Sequence, residues 1–185
     1  MLKVTPTAIE AVKIVTPRRI GDARGYFCET WNRAGMAKAG IDVEFVQDNE
    51  SSSAAVGTVR GLHFQTSPFG QVKLVRVLRG RILDVAVDLR RSSMTFGQHV
   101  AVELSSQNGQ QLLIPIGFAH GFCTLEPDTL LSYKVSAGYA PQHDMGLAWD
   151  DPDLAIDWPV APQAAMLSAK DMKQPRLRDL PAVFE

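Results

Sequence analysis

The feature that most limits what this chain can become is a series of short segments in which side-chain character alternates residue by residue, each closed by a turn signal. Segments at 74–78, 82–89, 98–104, 111–114, 122–125 and 130–135 have this form, separated by Arg79-Gly80 and by residues 91–93, 105–109 and 126–128. Six or more short strands at this spacing predict an all-β sandwich, jelly roll or closed barrel rather than a doubly wound sheet. Upstream, residues 11–15, closed by Pro17, and 26–31, after the turn at Gly21, Asp22 and Gly25, predict an early antiparallel pair. Residues 32–40 instead predict a helix of about two turns, opened by Asn32 and closed by Gly40. Residues 44–49 read as extended, and 50–57 as a connection rich in Ser and Ala. From Tyr139, prolines at 141, 152, 159 and 162 mark an irregular run, with a short strand expected at 147–149 and an extended tail over the last fifteen residues.

Size and charge bound the rest. A chain of 185 residues fits one domain, taken as residues 1–185, and at this size buries roughly 70% of its unfolded surface. A net charge of −1 offers no excess of cations to neutralise nucleic acid phosphates, so no nucleic acid partner is expected. The first thirty residues hold no long apolar run behind a basic start, and no stretch of 18 apolar residues occurs. Neither a signal peptide nor a membrane span is expected, and the expected location is cytoplasmic. Cys28 and Cys123 sit on apolar strand-like segments and read as free, buried thiols.

The chemistry centres on residues 59–73, VRGLHFQTSPFGQVK, where two strand-like segments flank a turn at Ser67, Pro68 and Gly70. Alternation places Gly61, His63 and Gln65 on one side and Arg60, Leu62 and Phe64 on the other. After the turn, Lys73 shares a face with Val75 and Val77, where a lysine either snorkels to the rim or is held inside for a purpose. His120 lies between Gly117 and Gly121 in IPIGFAHGF, a strand-turn setting, and is either packed against a carbonyl or functional. Asp84 and Asp88 alternate with Leu83, Val85, Val87 and Leu89, and point to solvent or into a polar cavity. Ser168 and Asp171 have the spacing of a helix-opening capping box, which by itself needs no active site. Two histidines and an aspartate could hold a divalent ion, but no close ligand spacing supports it, and no metal is assigned.

Six blocks in order carry a resemblance across nearly the whole chain: DARGYFCETW (22–31), QDN (47–49), RGLHFQ (60–65), DVAVDLR (84–90), IPIGFAHGF (114–122) and LSAKD (167–171). Together they resemble the dTDP-4-dehydrorhamnose 3,5-epimerases. The resemblance implies a cupin-type jelly-roll barrel with short helices, a homodimer, no cofactor, and metal-independent epimerisation of dTDP-4-dehydro-6-deoxy-D-glucose at C3 and C5. It implies His63 as base, Asp171 as the carboxylate behind it, Lys73 as the charge facing the enolate oxygen and Tyr133 as acid. It further implies substrate contacts from Arg24, Phe27, Glu29, Gln47, Asn49, Arg60, His120, Tyr139, Asp144 and Lys170, some reaching in from a partner subunit. The chain departs from the commonest family pattern at Glu50, where a histidine often stands, and at Asp144, where similar enzymes carry glutamate. Epimerisation at a single centre and non-catalytic binding of a sugar nucleotide stand as alternatives.

Overall fold

The computed structural model describes residues 2–185, which form thirteen strands, one α-helix and four short 3-10 turns. In chain order the first elements are β1 (Lys3–Pro6), β2 (Lys13–Thr16), β3 (Arg19–Asp22), β4 (Gly25–Cys28), helix α1 (Arg33–Lys38), β5 (Gln47–Ser53) and β6 (Val59–Gln65). They continue with β7 (Lys73–Arg79), β8 (Arg81–Asp88), β9 (His99–Ser105), β10 (Gln111–Ile114), β11 (Phe118–Thr124), β12 (Thr129–Val135) and β13 (Asp144–Gly146). Two antiparallel sheets face each other, one ordered β1-β2-β10-β7-β12-β5 and the other β13-β6-β11-β8-β9. Strands adjacent in space are mostly distant in sequence, the arrangement of a jelly roll.

Alternation decides which side chains fill the barrel. Val75 and Val77 of β7, Ile82 and Ala86 of β8, Leu104 of β9, Leu112 and Ile114 of β10, and Leu131 of β12 pack into one inner cluster. Their odd-numbered or even-numbered neighbours point outward but are not left to water. Outside the five-stranded sheet, Leu62, Val85, Val87 and Leu89 are covered by Leu147, Leu154 and Leu180 from the C-terminal third of the chain. Outside the six-stranded sheet, Leu74 and Leu113 are covered by Met36 and Ile41 in and after α1. Complete burial of one such side chain contributes about 1.5–3 kcal/mol, so the two covering segments are integral to the barrel's stability. The helix starts as its sequence predicts, with Asn32 Oδ1 accepting from the Gly35 N–H at 2.9 Å.

Several local expectations are corrected. Residues 11–15 and 26–31 do not pair: β2 lies between β1 and β10, while β4 folds back on β3 in a separate two-stranded sheet. Arg19–Asp22 is itself a strand, so the turn at Asp22 and Gly25 closes a hairpin within that segment. Residues 50–53, read as connection, continue β5 because β12 supplies ladder partners from Thr129 to Val135 regardless of side chain. Asp84 and Asp88, left open between solvent and a polar cavity, are settled as buried on the inner face that they share with Ile82 and Ala86. The short strand expected at 147–149 falls instead at Asp144–Gly146. The C-terminal tail is docked, with Phe184 5.8 Å from the Phe64 ring and its carbonyl accepting from Arg91 N at 3.0 Å.

One close approach shapes the strands that carry both histidines. Gly61 has φ +129, open to glycine, and a Cβ there would stand 2.5 Å from Gly121 Cα. A Cβ on Gly121 would meet the Arg60 carbonyl at 2.7 Å. The β6–β11 register shifts at this point, between His120 and Phe122. Gly121→Ala should therefore push β6 from β11 and lower stability by about 1–3 kcal/mol, read as an earlier urea midpoint with loss of activity.

Candidate active site

The inner face changes from apolar to polar where β6, β7, β11 and β12 meet the segment around Asp171. Here His63, Lys73, His120 and Tyr133 line one cleft of about 480 Å³, together with Arg60 and Asp171. The structure thus brings both segments of the 59–73 stretch into one cavity, although β6 and β7 belong to different sheets. Arg60 also enters it. Strict alternation sets Arg60 opposite His63, but the register shift beside Gly61 turns both toward the cleft. Arg60 is held there by Ser53 Oγ at 3.0 Å and the Ser52 carbonyl at 2.8 Å.

Each histidine is bonded to its own aspartate. His63 Nε2 lies 2.5 Å from Asp171 Oδ1, and His120 Nε2 lies 2.7 Å from Asp84 Oδ1. An ionised carboxylate only accepts, so in each pair Nε2 carries a proton, and in the neutral form of either ring Nδ1 keeps the lone pair. His63 and His120 are direct cross-strand partners, which sets the two pairs side by side. Burial would raise the Asp171 carboxyl, but hydrogen bonding and charge from His63, with Ser168 and the Gly61 N–H, hold it below the usual carboxylate range. Ser168 Oγ does accept from Asp171 N at 3.1 Å. The turn that follows is a single 3-10 turn, Asp171–Lys173, not an α-helix, and the Asp171 side chain is spent on His63.

Lys73 is nearly enclosed, and burial pulls its ammonium down to about 8, with Asp84 and Asp144 opposing that shift and Lys170 adding to it. Its Nζ donates to the His63 carbonyl at 3.3 Å. Burial lowers His120 and raises Tyr133, so at neutral pH His120 favours the neutral ring and Tyr133 remains a phenol. Tyr133 pairs in register with Val75 and Val135 with Lys73, which puts the phenol and the ammonium on adjoining strands of one sheet.

A lobe of about 210 Å³ shares His63, Lys73 and Tyr133 and extends past Gln47, Asn49, Tyr139, Asp144 and Lys170. At its mouth Asp144 Oδ2 accepts from Lys170 Nζ at 2.5 Å and from Tyr139 Oη at 2.9 Å. The β3–β4 hairpin does not join this site within the chain. Arg24 at its tip pairs with Asp22, Phe27 is 70% exposed, and Phe27 and Glu29 border a separate groove with Trp31 and Met36. The hairpin shares no ladder with either barrel sheet and is anchored instead by Arg19, which donates to the Ser106 and Gln107 carbonyls, away from the cleft. Asp84, left open from sequence between solvent and a polar cavity, stands behind His120 and not His63, whereas the lining residues Ser51, Thr58 and Phe122 were not among the candidates from sequence. The signal for Asp84 was present in its alternation with Ile82 and Ala86, once that face is known to be the inner one.

Comparison with known proteins decides the family. The family model described as dTDP-4-dehydrorhamnose 3,5-epimerase matches residues 6–179. The chain belongs to the dTDP-4-dehydrorhamnose 3,5-epimerase family. It is 54% identical to the enzyme of that name from Sinorhizobium fredii over 96% of this chain and 91% of that protein. It superposes with a TM-score of 0.92 on the Bacillus anthracis dTDP-4-dehydrorhamnose 3,5-epimerase crystallised with TDP and PPi, at 48% identity over 95% of this chain and 99% of the other. With the Legionella pneumophila dTDP-6-deoxy-D-glucose-3,5-epimerase in complex with dTDP-4-keto-L-rhamnose, the TM-score is 0.93 at 43% identity, covering 98% and 96% of the two chains. The jelly-roll barrel of this family is the fold found here, and all four catalytic candidates lie within the matched residues. For an epimerase of this family, Asp171→Asn should keep the fold but remove the charge behind His63, lowering kcat by about 10²–10⁴-fold in a steady-state assay.

Proposed function

We propose that this chain is an isomerase that converts dTDP-4-dehydro-6-deoxy-D-glucose to dTDP-4-dehydro-L-rhamnose by inverting C3 and C5, in dTDP-L-rhamnose biosynthesis. The observation that carries the reading is the placement of a base and an acid on opposite sheets around one cleft, His63 with Asp171 on one side and Tyr133 on the other. Both stereocentres flank the C4 ketone. His63 Nδ1 removes the α-proton, and the C–H electron pair moves into the C4 carbonyl to form an enolate. The Lys73 ammonium faces the negative charge on O4, a contribution worth about 3–4 kcal/mol where one such donor has been removed elsewhere. Tyr133 then gives its phenolic proton to the opposite face of the same carbon. His63 then loses its proton to solvent and the Tyr133 phenolate regains one, which resets both groups for the second centre, and with one proton leaving the carbon and one returning there is no net oxidation or reduction.

His120 supports a more specific assignment than holding the ketone oxygen. With Nε2–H committed to Asp84 and the ring neutral, its Nδ1 is an acceptor, which suits a sugar hydroxyl and leaves O4 to Lys73. Arg60 and Lys170 meet the diphosphate, and Gln47, Asn49, Tyr139 and Asp144 form the lobe toward the nucleoside. Lys170 must exchange Asp144 for phosphate oxygen as the ligand enters. Arg24, Phe27 and Glu29 complete the base end from the partner in a cytoplasmic homodimer, in keeping with exposed Ile20, Tyr26 and Phe27 on the projecting hairpin.

Turnover in deuterated water should place solvent deuterium at both C3 and C5 of the product, seen by mass and NMR analysis; label at one centre only would reduce the activity to single epimerisation. The pH profile is a further test. Lys73 serves only while protonated, so kcat/KM should fall as pH rises through about 8, approaching about tenfold per pH unit. Lys73→Arg, which keeps its charge, should remove that alkaline limb.

A further inference from the structure

The inner face of β8 carries a group that the proposed reaction leaves unused. Asp84 is fully buried, and only one of its carboxylate oxygens is bonded: Oδ1 accepts from His120, while no protein donor reaches Oδ2. Buried carboxylate oxygens are normally bonded, and leaving one unpaired is expensive. Lys73, which lines the cleft with His120, has the opposite imbalance. Its ammonium can donate three hydrogen bonds, and the one it makes within the chain is a long contact to the His63 carbonyl. His63 of β6, His120 of β11 and Tyr133 of β12 line the cleft with Lys73, Asp144 of β13 and Lys170 of the C-terminal segment share its outer lobe, and Asp84 of β8 stands behind His120. The other charged groups at the cleft are spent. Arg60 is held by Ser52 and Ser53, Asp171 by His63, and Asp144 by Lys170 and Tyr139.

We propose that Asp84 is a positioning residue for Lys73, its free Oδ2 holding the ammonium over the cleft through a bridging water, so that one carboxylate orients both His120 and Lys73. This rests on the reading of Lys73 as the group that faces the enolate. Asp84 is the largest of the charges that work against burial to keep Lys73 protonated, which agrees with the geometry. Loss of Asp84 would then act chiefly on the protonation of Lys73, not only on the packing of His120.

The test is Asp84→Asn, nearly isosteric and able to accept from His120, with two readouts. The alkaline limb of kcat/KM should move to lower pH by about 1–3 units, the range for loss of a neighbouring opposite charge. Carbamylation of Lys73 by cyanate, followed by mass spectrometry of its peptide, should quicken about fivefold at pH 7 for a shift of one unit, because cyanate takes only the neutral amine. An unmoved limb with unchanged carbamylation would overturn the proposal, even with activity reduced. If the wild-type protein turns over no 4-keto sugar, the proposed function fails, while carbamylation still decides the role of Asp84. Should Asp84→Asn not fold, Lys73→Met separates the outcomes by sign. Removing a lysine paired with Asp84 moves the urea midpoint down, whereas removing an unpartnered buried lysine moves it up.

Discussion

Charge inside a barrel has to be compensated locally, and that constraint organises this molecule. The inner faces of the two sheets carry His63, Lys73, Asp84, Asp88 and His120 in line with valines, leucines and isoleucines. Transfer of any one of these as an isolated ion would cost several kcal/mol, comparable with a large part of the net stability of a domain. Four of them are therefore tied to a neighbour by an ion pair or hydrogen bonds, and Lys73 makes one long contact to a carbonyl. Asp88 accepts from Arg90, Ser93 and Thr95, which holds its carboxyl down at about 2. Asp84 accepts from His120, and Asp171 arrives from outside the barrel to meet His63. In the proposed mechanism the His63–Asp171 and His120–Asp84 pairs serve activity as well as stability.

The C-terminal third of the chain has two tasks that follow from this. It covers the outward leucines and valines of the five-stranded sheet, and it delivers Asp171 and Lys170 to the cleft mouth. Docking of Leu180 and Phe184 fixes the segment, and the Ser168 hydroxyl fixes the turn at Asp171. A base whose orienting carboxylate comes from a separate segment depends on tertiary packing for its tautomer, so loosening that packing would affect chemistry before it unfolded the barrel.

Much of this could be read from the sequence, and the parts that could not share a cause. Period-two alternation located β7, β8, β9, β10 and β12 within a residue or two, because their buried faces are strongly apolar. It misassigned the 50–53 stretch, since Glu and Ser carry no strand signal and the ladder to β12 is set by the partner. It also separated Arg60 from His63, because a register shift beside a glycine is invisible to a count of alternate residues. Resemblance supplied what spacing could not, namely the link from Asp171 to a histidine 108 residues earlier. Asp84 remained undirected until both faces of β8 were found to be buried. Arg24 and Phe27 on the β3–β4 hairpin, and Glu29 just after it, lie outside this chain's cleft, so their assignment rests on family resemblance.

The central claim is a division of labour across the cleft, with His63 taking the proton and Tyr133 returning it from the opposite wall. It is tested most directly by incubating Tyr133→Phe and His63→Asn with the 4-keto sugar in deuterated water and recording exchange and configuration together. The account predicts that Tyr133→Phe still exchanges hydrogen at the α-carbons but returns it with retention, while His63→Asn neither exchanges nor inverts. Inversion by Tyr133→Phe at the wild-type rate, or exchange undiminished in His63→Asn, would contradict it.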